Sequence, residues 1–143
     1  MVARLRHIAI SVPDVEAAVK FFEEAFGMKR VGPAGIGAYV SDGTINVALL
    51  KFKGDVPGFP PGEPYYGLIH FGMWVDDLEE AAKQVEKAGG THFMGRMDKN
   101  PNTFYEVKYK HPTGFVFDLT HTGWKGAVKE VIPATLEKSA VAK

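Results

Sequence analysis

From His7 to Val12 the chain alternates. Ile8, Ile10 and Val12 fall on one side, and His7, Ala9 and Ser11 on the other. A period of two marks a strand whose faces meet different surroundings. The period then changes. Val15, Val19, Phe22 and Phe26 are spaced by four, three and four residues, which is one face of a helix. Asp14 stands where an N-cap belongs and Gly27 where the helix should stop. Ile36 to Val40 and Thr44 to Leu50 read again as strands, parted by the turn residues Ser41-Asp42-Gly43. The same order then returns. Ile69, Phe71, Met73 and Val75 alternate with His70, Gly72 and Trp74. Asp77 heads a helix with Leu78, Ala82 and Val85 on one face, and Gly89-Gly90 ends it. Phe104 to Lys110 and Phe115 to Thr120 flank the turn His111-Pro112-Thr113-Gly114. In each opening strand the bulky set is expected to pack under the helix that follows. The set with histidine and small residues then faces the other way.

The return is a repeat. Arg6 to Asp14 aligns without a gap on Ile69 to Asp77, at an offset of 63 residues, with His on His, Val on Val and Asp on Asp. Module one is expected over about residues 4–50, a Pro- and Gly-rich linker over about 51–66, and module two over about 67–122. A tail from about 123 to 143 follows, with Gly123-Trp124 as its anchor.

Bulk properties narrow the function. The chain has 143 residues, enough for one domain with a real core. Seventeen basic and 17 acidic residues balance to a formal net charge of +0, which argues against a nucleic-acid partner. Apolar runs are too short for a membrane span, and the opening Met1-Val2-Ala3-Arg4-Leu5-Arg6 meets charge too early for a signal peptide. There is no cysteine, so disulfide and thiol chemistry are excluded. Together these fit a cytoplasmic protein whose partner is a small molecule.

Three residues stand out. His7 and His70 occupy equivalent points of equivalent strands, and a pseudo-two-fold packing of the modules would bring both rings to one place. Asp118 lies in Phe115-Val116-Phe117-Asp118-Leu119-Thr120, where the bulky residues take one face and Asp118 the other. A carboxylate inside so apolar a strand is expensive unless paired or ligated. Two imidazoles and a carboxylate form a facial triad that leaves coordination positions open. It favours Fe(II), with Mn(II), Zn(II), Ni(II) or Co(II) as alternatives. A single strand histidine, taken alone, is more often a packed core residue. Strand parity also nominates Ser11, Trp74 and Thr120 as substrate-binding walls, and Tyr105 and Tyr109 as cavity-facing residues able to take part in catalysis.

His7 to Asp14, His70 to Asp77 and Pro112-Thr113-Gly114-Phe115-Val116-Phe117-Asp118 resemble the vicinal oxygen chelate superfamily, which includes glyoxalase I, methylmalonyl-CoA epimerase, extradiol dioxygenases and bleomycin- or fosfomycin-resistance proteins. The resemblance covers about residues 4 to 122. It implies an α+β fold in which two tandem βαβββ modules form a cupped, mostly antiparallel sheet around a central cavity. The cup closes within one chain or across a homodimer, the more expected state for a chain this short. Ligands in the family come from the first and last strands of each module. That carries over to His7, His70 and Asp118, the last in a place usually held by Glu. The remaining ligand position falls on Val47 or Ala48, neither of which coordinates. Three ligands resemble the extradiol dioxygenase arrangement. The implied function is a metal-dependent dioxygenase or lyase/isomerase acting on a small oxygenated substrate, aromatic ones included. A metal-free binding protein of the bleomycin-resistance kind is the alternative, and a scaffold with a merely structural histidine pair is a third.

Overall fold

The computed structural model describes residues 2–95 and 106–130. Its elements run β1 (Ala3–Ser11), α1 (Val15–Phe26), β2 (Lys29–Ala34), β3 (Gly37–Ser41), β4 (Asn46–Leu50), β5 (Gly67–Val75), α2 (Leu78–Lys87), β6 (Thr91–Met94), β7 (Val107–Lys110) and β8 (Val116–Thr120). Both helices begin as their caps dictate. Asp14 Oδ1 accepts from Ala17 N at 3.0 Å and Asp77 Oδ1 from Glu80 N at 3.0 Å. No helix among the described residues is long and apolar enough to cross a membrane.

Eight strands form one sheet in the order β2-β3-β4-β1-β5-β8-β7-β6. Each module supplies one half with the same internal order. The halves join where β1 runs antiparallel to β5, so both halves of the open cup come from a single chain. The β1–β4 and β5–β8 pairs are parallel and the remaining pairs antiparallel. This is the expected α+β cup. β2 and β6 lack a clear hydrophobic pattern because they are the two edges of the sheet. β2 even carries Pro33, which an edge tolerates.

The helices cover the convex face. Val19 of α1 packs on Val40, Val47 and Leu49, and Leu78, Ala81 and Ala82 of α2 pack on Val75, Val107, Tyr109 and Leu119. A further cluster, Ala9, Ala48, Val56 and Ile69, is backed by Phe52, Phe59 and Tyr65 from the segment between the modules.

Ile69 corrects an expectation. Strict alternation put it under a helix with Met73 and Val75. Instead the β1–β5 ladder carries two bulges. Leu5 pairs with Met73 and His7 with Gly72, so Arg6 is an extra residue on β1; Ala9 pairs with His70 and Ile10 with Leu68, so Ile69 is extra on β5. Arg6 and Ile69 are equivalent in the repeat, and each directly precedes a histidine. A bulge bends its strand and re-aims the next side chain. Here both imidazoles keep the inner face that parity gives them, and Ile69 is turned inward beside His70.

Candidate metal centre

Pairing across the sheet yields two rows related by the pseudo-two-fold. One runs Lys108–Asp118–Gly72–His7–Asn46–Ser41, and the other Tyr39–Ala48–Ala9–His70–Val116–Lys110. By this register Ala48 is the counterpart of Asp118, and Tyr39 the counterpart of Lys108. The position where a fourth ligand was sought is therefore Ala48 rather than Val47, whose side chain packs under α1.

The rings of His7 and His70 have centroids 5.5 Å apart. Asp118 Oδ2 lies 3.1 Å from His70 Nε2 and 3.5 Å from His7 Nε2. One ligand atom from each residue lies within 4.8 Å of the other two. Asp118 is wholly buried, and Oδ2 has no well-directed hydrogen bond among the described residues although both rings are near. Ligands about 2 Å from a shared ion sit about 3 Å from one another when adjacent. The spacing, the donor types and the unsatisfied oxygen all suit a divalent cation.

Two of the three candidate ligands, His7 and Asp118, are held by neighbours outside the cluster. His7 Nδ1 donates to Asn46 Oδ1 at 2.7 Å, while Asn46 Nδ2 donates to Lys125 O at 2.7 Å. With its amide fixed at both ends, Asn46 sets the imidazole tautomer and leaves Nε2 as the free lone pair. Trp124 stacks on His7 with centroids 4.6 Å apart and planes 9° from parallel, and its Nε1 donates to Glu106 Oε2 at 2.7 Å. Lys108 Nζ donates to Asp118 Oδ1 at 2.7 Å and to Glu106 Oε1 at 3.2 Å.

Residues 123–130 form a strap that brings Trp124 and Lys125 into place. Ser41 Oγ donates to Gly126 O at 2.7 Å, Arg6 Nε to Val128 O at 2.6 Å, and Val128 N to Thr44 O at 3.0 Å. Room for Trp124 comes from Gly72, where a Cβ would fall 2.6 Å from indole carbons Cη2 and Cζ2 and 3.0 Å from His7 Cβ.

A cavity of ≈ 190 Å³ opens beside the triad. At about 30 Å³ per water it holds roughly six waters, the space of a small metabolite. Its polar side is His7, His70, Glu106 and Lys108. Its apolar side is Ala48, Leu50, Phe52, Pro57 and Ile69, with Tyr39 between.

Burial pushes the His7 imidazole below its usual range, against the opposing pull of Asp118. Burial alone would raise Asp118, but the His70 ring and the Lys108 ammonium outweigh it and hold the carboxyl at about 2. Burial would likewise lower Lys108, but Asp118 and Glu106 keep it above the ordinary lysine range. Both His7 and Asp118 are thus lowered in the folded state. The unfolded chain binds more protons, so each group's contribution is complete above its unfolded pKa and is lost as pH falls towards its folded one. The His7 contribution drops away below the ordinary imidazole value of 6.5, and that of Asp118 between 3.8 and about 2, where roughly 2 kcal/mol is at stake. The metal-free protein should therefore show a melting temperature that starts to fall below about pH 6.5 and falls again in the acid range. His7→Gln should flatten the upper limb, as a melting series against pH would reveal.

Of the residues nominated from sequence, His7, His70 and Asp118 come together. Ser11 is buried outside the cavity wall. Trp74 and Thr120 serve the strap instead. The Trp74 indole packs against Gly123, whose φ of 85° suits glycine, and donates to His121 O at 3.2 Å. Thr120 Oγ1 accepts from the N–H groups of Thr122 and Gly123, both at 3.1 Å. Tyr109 does not reach the cavity. It lies in the core beneath α2, with its hydroxyl 3.3 Å from Glu86 Oε1, because the apolar set of β7 faces the helix. Tyr105 lies outside the described residues. Lys108, Glu106, Tyr39, Asn46 and Trp124 were not foreseen as a group. A signal for Lys108 existed: a hairpin closed on His111-Pro112-Thr113-Gly114 pairs Lys110 with Val116, and hence Lys108 with Asp118.

Fold and site together define a two-module cup with a His-His-Asp cluster on its floor. The model of the Glyoxalase/Bleomycin resistance protein/Dioxygenase superfamily matches residues 4–119, and the chain belongs to that superfamily. It is 27% identical over 124 residues to ethylmalonyl-CoA/methylmalonyl-CoA epimerase of Cereibacter sphaeroides, covering 80% of this chain and 92% of the relative. It is 32% identical over 99 residues to the anthracycline biosynthesis protein DnrV of Streptomyces peucetius, covering 60% of this chain but only 35% of that relative, about a third of its length. The Mn(II)-bound glyoxalase from Novosphingobium aromaticivorans superposes with a TM-score of 0.62 at 18% identity, covering 92% of this chain and 44% of that one. At that identity the likeness speaks for the fold.

Proposed function

We propose that the protein is a metal-dependent enzyme acting on a small oxygenated substrate, with His7, His70 and Asp118 as the ligands of one divalent ion. The observation that carries this is the convergence of three buried ligand atoms on an Asp118 oxygen that lacks a well-directed hydrogen bond. Two imidazoles and one carboxylate favour Fe(II), with Mn(II), Zn(II), Ni(II) or Co(II) as alternatives. When bound, such an ion supplies electrophilic stabilisation of negative charge developing on a substrate oxygen.

The chain's own groups do the rest. Asn46 keeps the Nε2 lone pair of His7 pointed into the cup. Lys108 occupies Asp118 Oδ1 and leaves Oδ2 for ligation. Ala48, standing opposite Asp118 in the pseudo-symmetry, leaves space for substrate. Leu50, Phe52 and Ile69 shield the floor from water and so strengthen its electrostatics. The lyase or isomerase branch fits the cavity better than ring cleavage. Apart from the triad, the groups lining it that can carry a proton are Glu106, Lys108 and Tyr39, and His92, His111 and His121 are not among its lining residues. A carboxylate such as Glu106 can take a proton from carbon next to a carbonyl group.

Elemental analysis of untagged protein, purified without chelator, tests the reading. About one iron, manganese or zinc per chain should be present, and His70→Ala should lose it. Wild type that stays empty after Fe(II), Mn(II) and Zn(II) are added in turn would leave a metal-free binding protein. Given bound metal, oxygen uptake with catechols would restore the dioxygenase branch. Solvent deuterium entering a carbonyl compound would support the other.

A further inference from the structure

The row holding Asp118 and His7 begins at Lys108. Its ammonium has three donors. Two are engaged, by Asp118 Oδ1 at 2.7 Å and Glu106 Oε1 at 3.2 Å, and the side chain lines the cavity beside both histidines. Across the pseudo-two-fold, Tyr39 enters the same cavity from β3. Burial raises its phenol above the usual range, so it remains a donor at neutral pH. Two hydrogen-bond donors thus line one space, Lys108 from β7 and Tyr39 from β3, with Leu50, Phe52 and Ile69 on its apolar side.

The charges set what that space can take. Asp118 and Glu106 bring two negative charges and Lys108 one positive, so the site alone is negative by one. A divalent ion on the triad turns this to positive by one. One monoanion makes the floor neutral. A neutral ligand leaves an unbalanced charge in a largely buried pocket, and a dianion leaves the opposite one, both unfavourable where water is scarce.

We propose that Lys108, with Tyr39 across the pseudo-two-fold, forms a subsite for the carboxylate of a small monoanionic substrate. This rests on the proposed metal-dependent function. Metal content and ligand binding therefore have to be read separately.

The experiment uses pyruvate and its neutral isostere pyruvamide. Both are titrated calorimetrically into metal-loaded wild type, Lys108→Gln and Lys108→Arg, with metal per chain measured on each sample. Gln keeps a donor for Asp118 Oδ1 without the charge. In wild type, pyruvate should bind at least tenfold more tightly than pyruvamide. In Lys108→Gln, with metal still bound, the preference should fall to near one, and Lys108→Arg should restore part of it. Stripping the metal should abolish the preference in wild type. Metal-loaded Lys108→Gln that still prefers pyruvate as wild type does would overturn the subsite and leave the metal reading intact. Wild type that takes up no metal would overturn both. Should Lys108→Gln lose its metal, Tyr39→Phe decides: it removes a donor without changing a charge or a ligand, and a preference unchanged there would overturn the subsite.

Discussion

Asp118→Asn should yield a folded protein that has lost its metal. Asparagine keeps the shape of the side chain, so the β8 ladder and the core beneath α2 are undisturbed. What disappears is the negative oxygen near His70 and His7. Metal affinity should fall by more than about 100-fold, beyond what changes to the groups surrounding a ligand produce. Stability should fall as well. Lys108 loses the nearer of its two carboxylates and keeps Glu106 at 3.2 Å. Breaking a buried pair costs about 3–5 kcal/mol, and the surviving partner places this case at the lower end. The double variant Asp118→Asn/Lys108→Met should recover much of that loss without recovering metal, since no buried cation is left stranded. Urea midpoints beside elemental analysis separate the two effects. A single variant that kept its metal would remove Asp118 from the ligand set.

Gly72→Ala should do at a distance what Asp118→Asn does directly. The added methyl group meets the Trp124 indole at 2.6 Å and His7 Cβ at 3.0 Å. One is a ring packed flat on a histidine and the other the root of that histidine, so neither yields easily. Overpacking of this kind costs about 1–3 kcal/mol. Trp124 is the side that moves, because it is held by a strap rather than by a strand. Its displacement would unstack His7, release Glu106 Oε2 and disturb the Lys125 carbonyl that fixes Asn46. Metal affinity should fall by about 10- to 100-fold although no ligand has changed. A red shift in tryptophan fluorescence should accompany that loss. Weakened metal binding with unchanged tryptophan emission would show that the strap does not transmit the change.

Much of the fold was legible because the repeat kept its pattern where burial enforces it. The β1 and β5 strands, both N-caps and the β8 alternation follow from one face being apolar. The edges were illegible for the converse reason: β2 and β6 bury too little to need a pattern. Ile69 was misplaced because a bulge breaks parity without leaving a mark in composition. Site residues divided in the same way. His7 and His70 were found by equivalence, and Asp118 by its cost among apolar neighbours. Tyr109 was put on the wrong side because parity shows which residues of a strand share a face but not which face is inner; its pairing with Phe117 decides that. In a cup the inner face holds the chemistry, so Glu106 and Lys108 turn inward and Tyr109 packs beneath α2. Trp124 and Asn46 act through contacts distant in sequence, which no local pattern encodes.

The strap separates the building of the cup from the finishing of the centre. Every described strand precedes residue 121 in the chain, so neither the strand ladders nor the two helices need Trp124 or Lys125 in place. Until those residues arrive, His7 has no ring stacked on it, Asn46 has no carbonyl to hold its amide, and Glu106 Oε2 lacks its indole donor. A chain can thus be nearly complete in shape and still lack the contacts that hold His7, Asn46 and Glu106, so the cup and the finished site are separable products of one sequence.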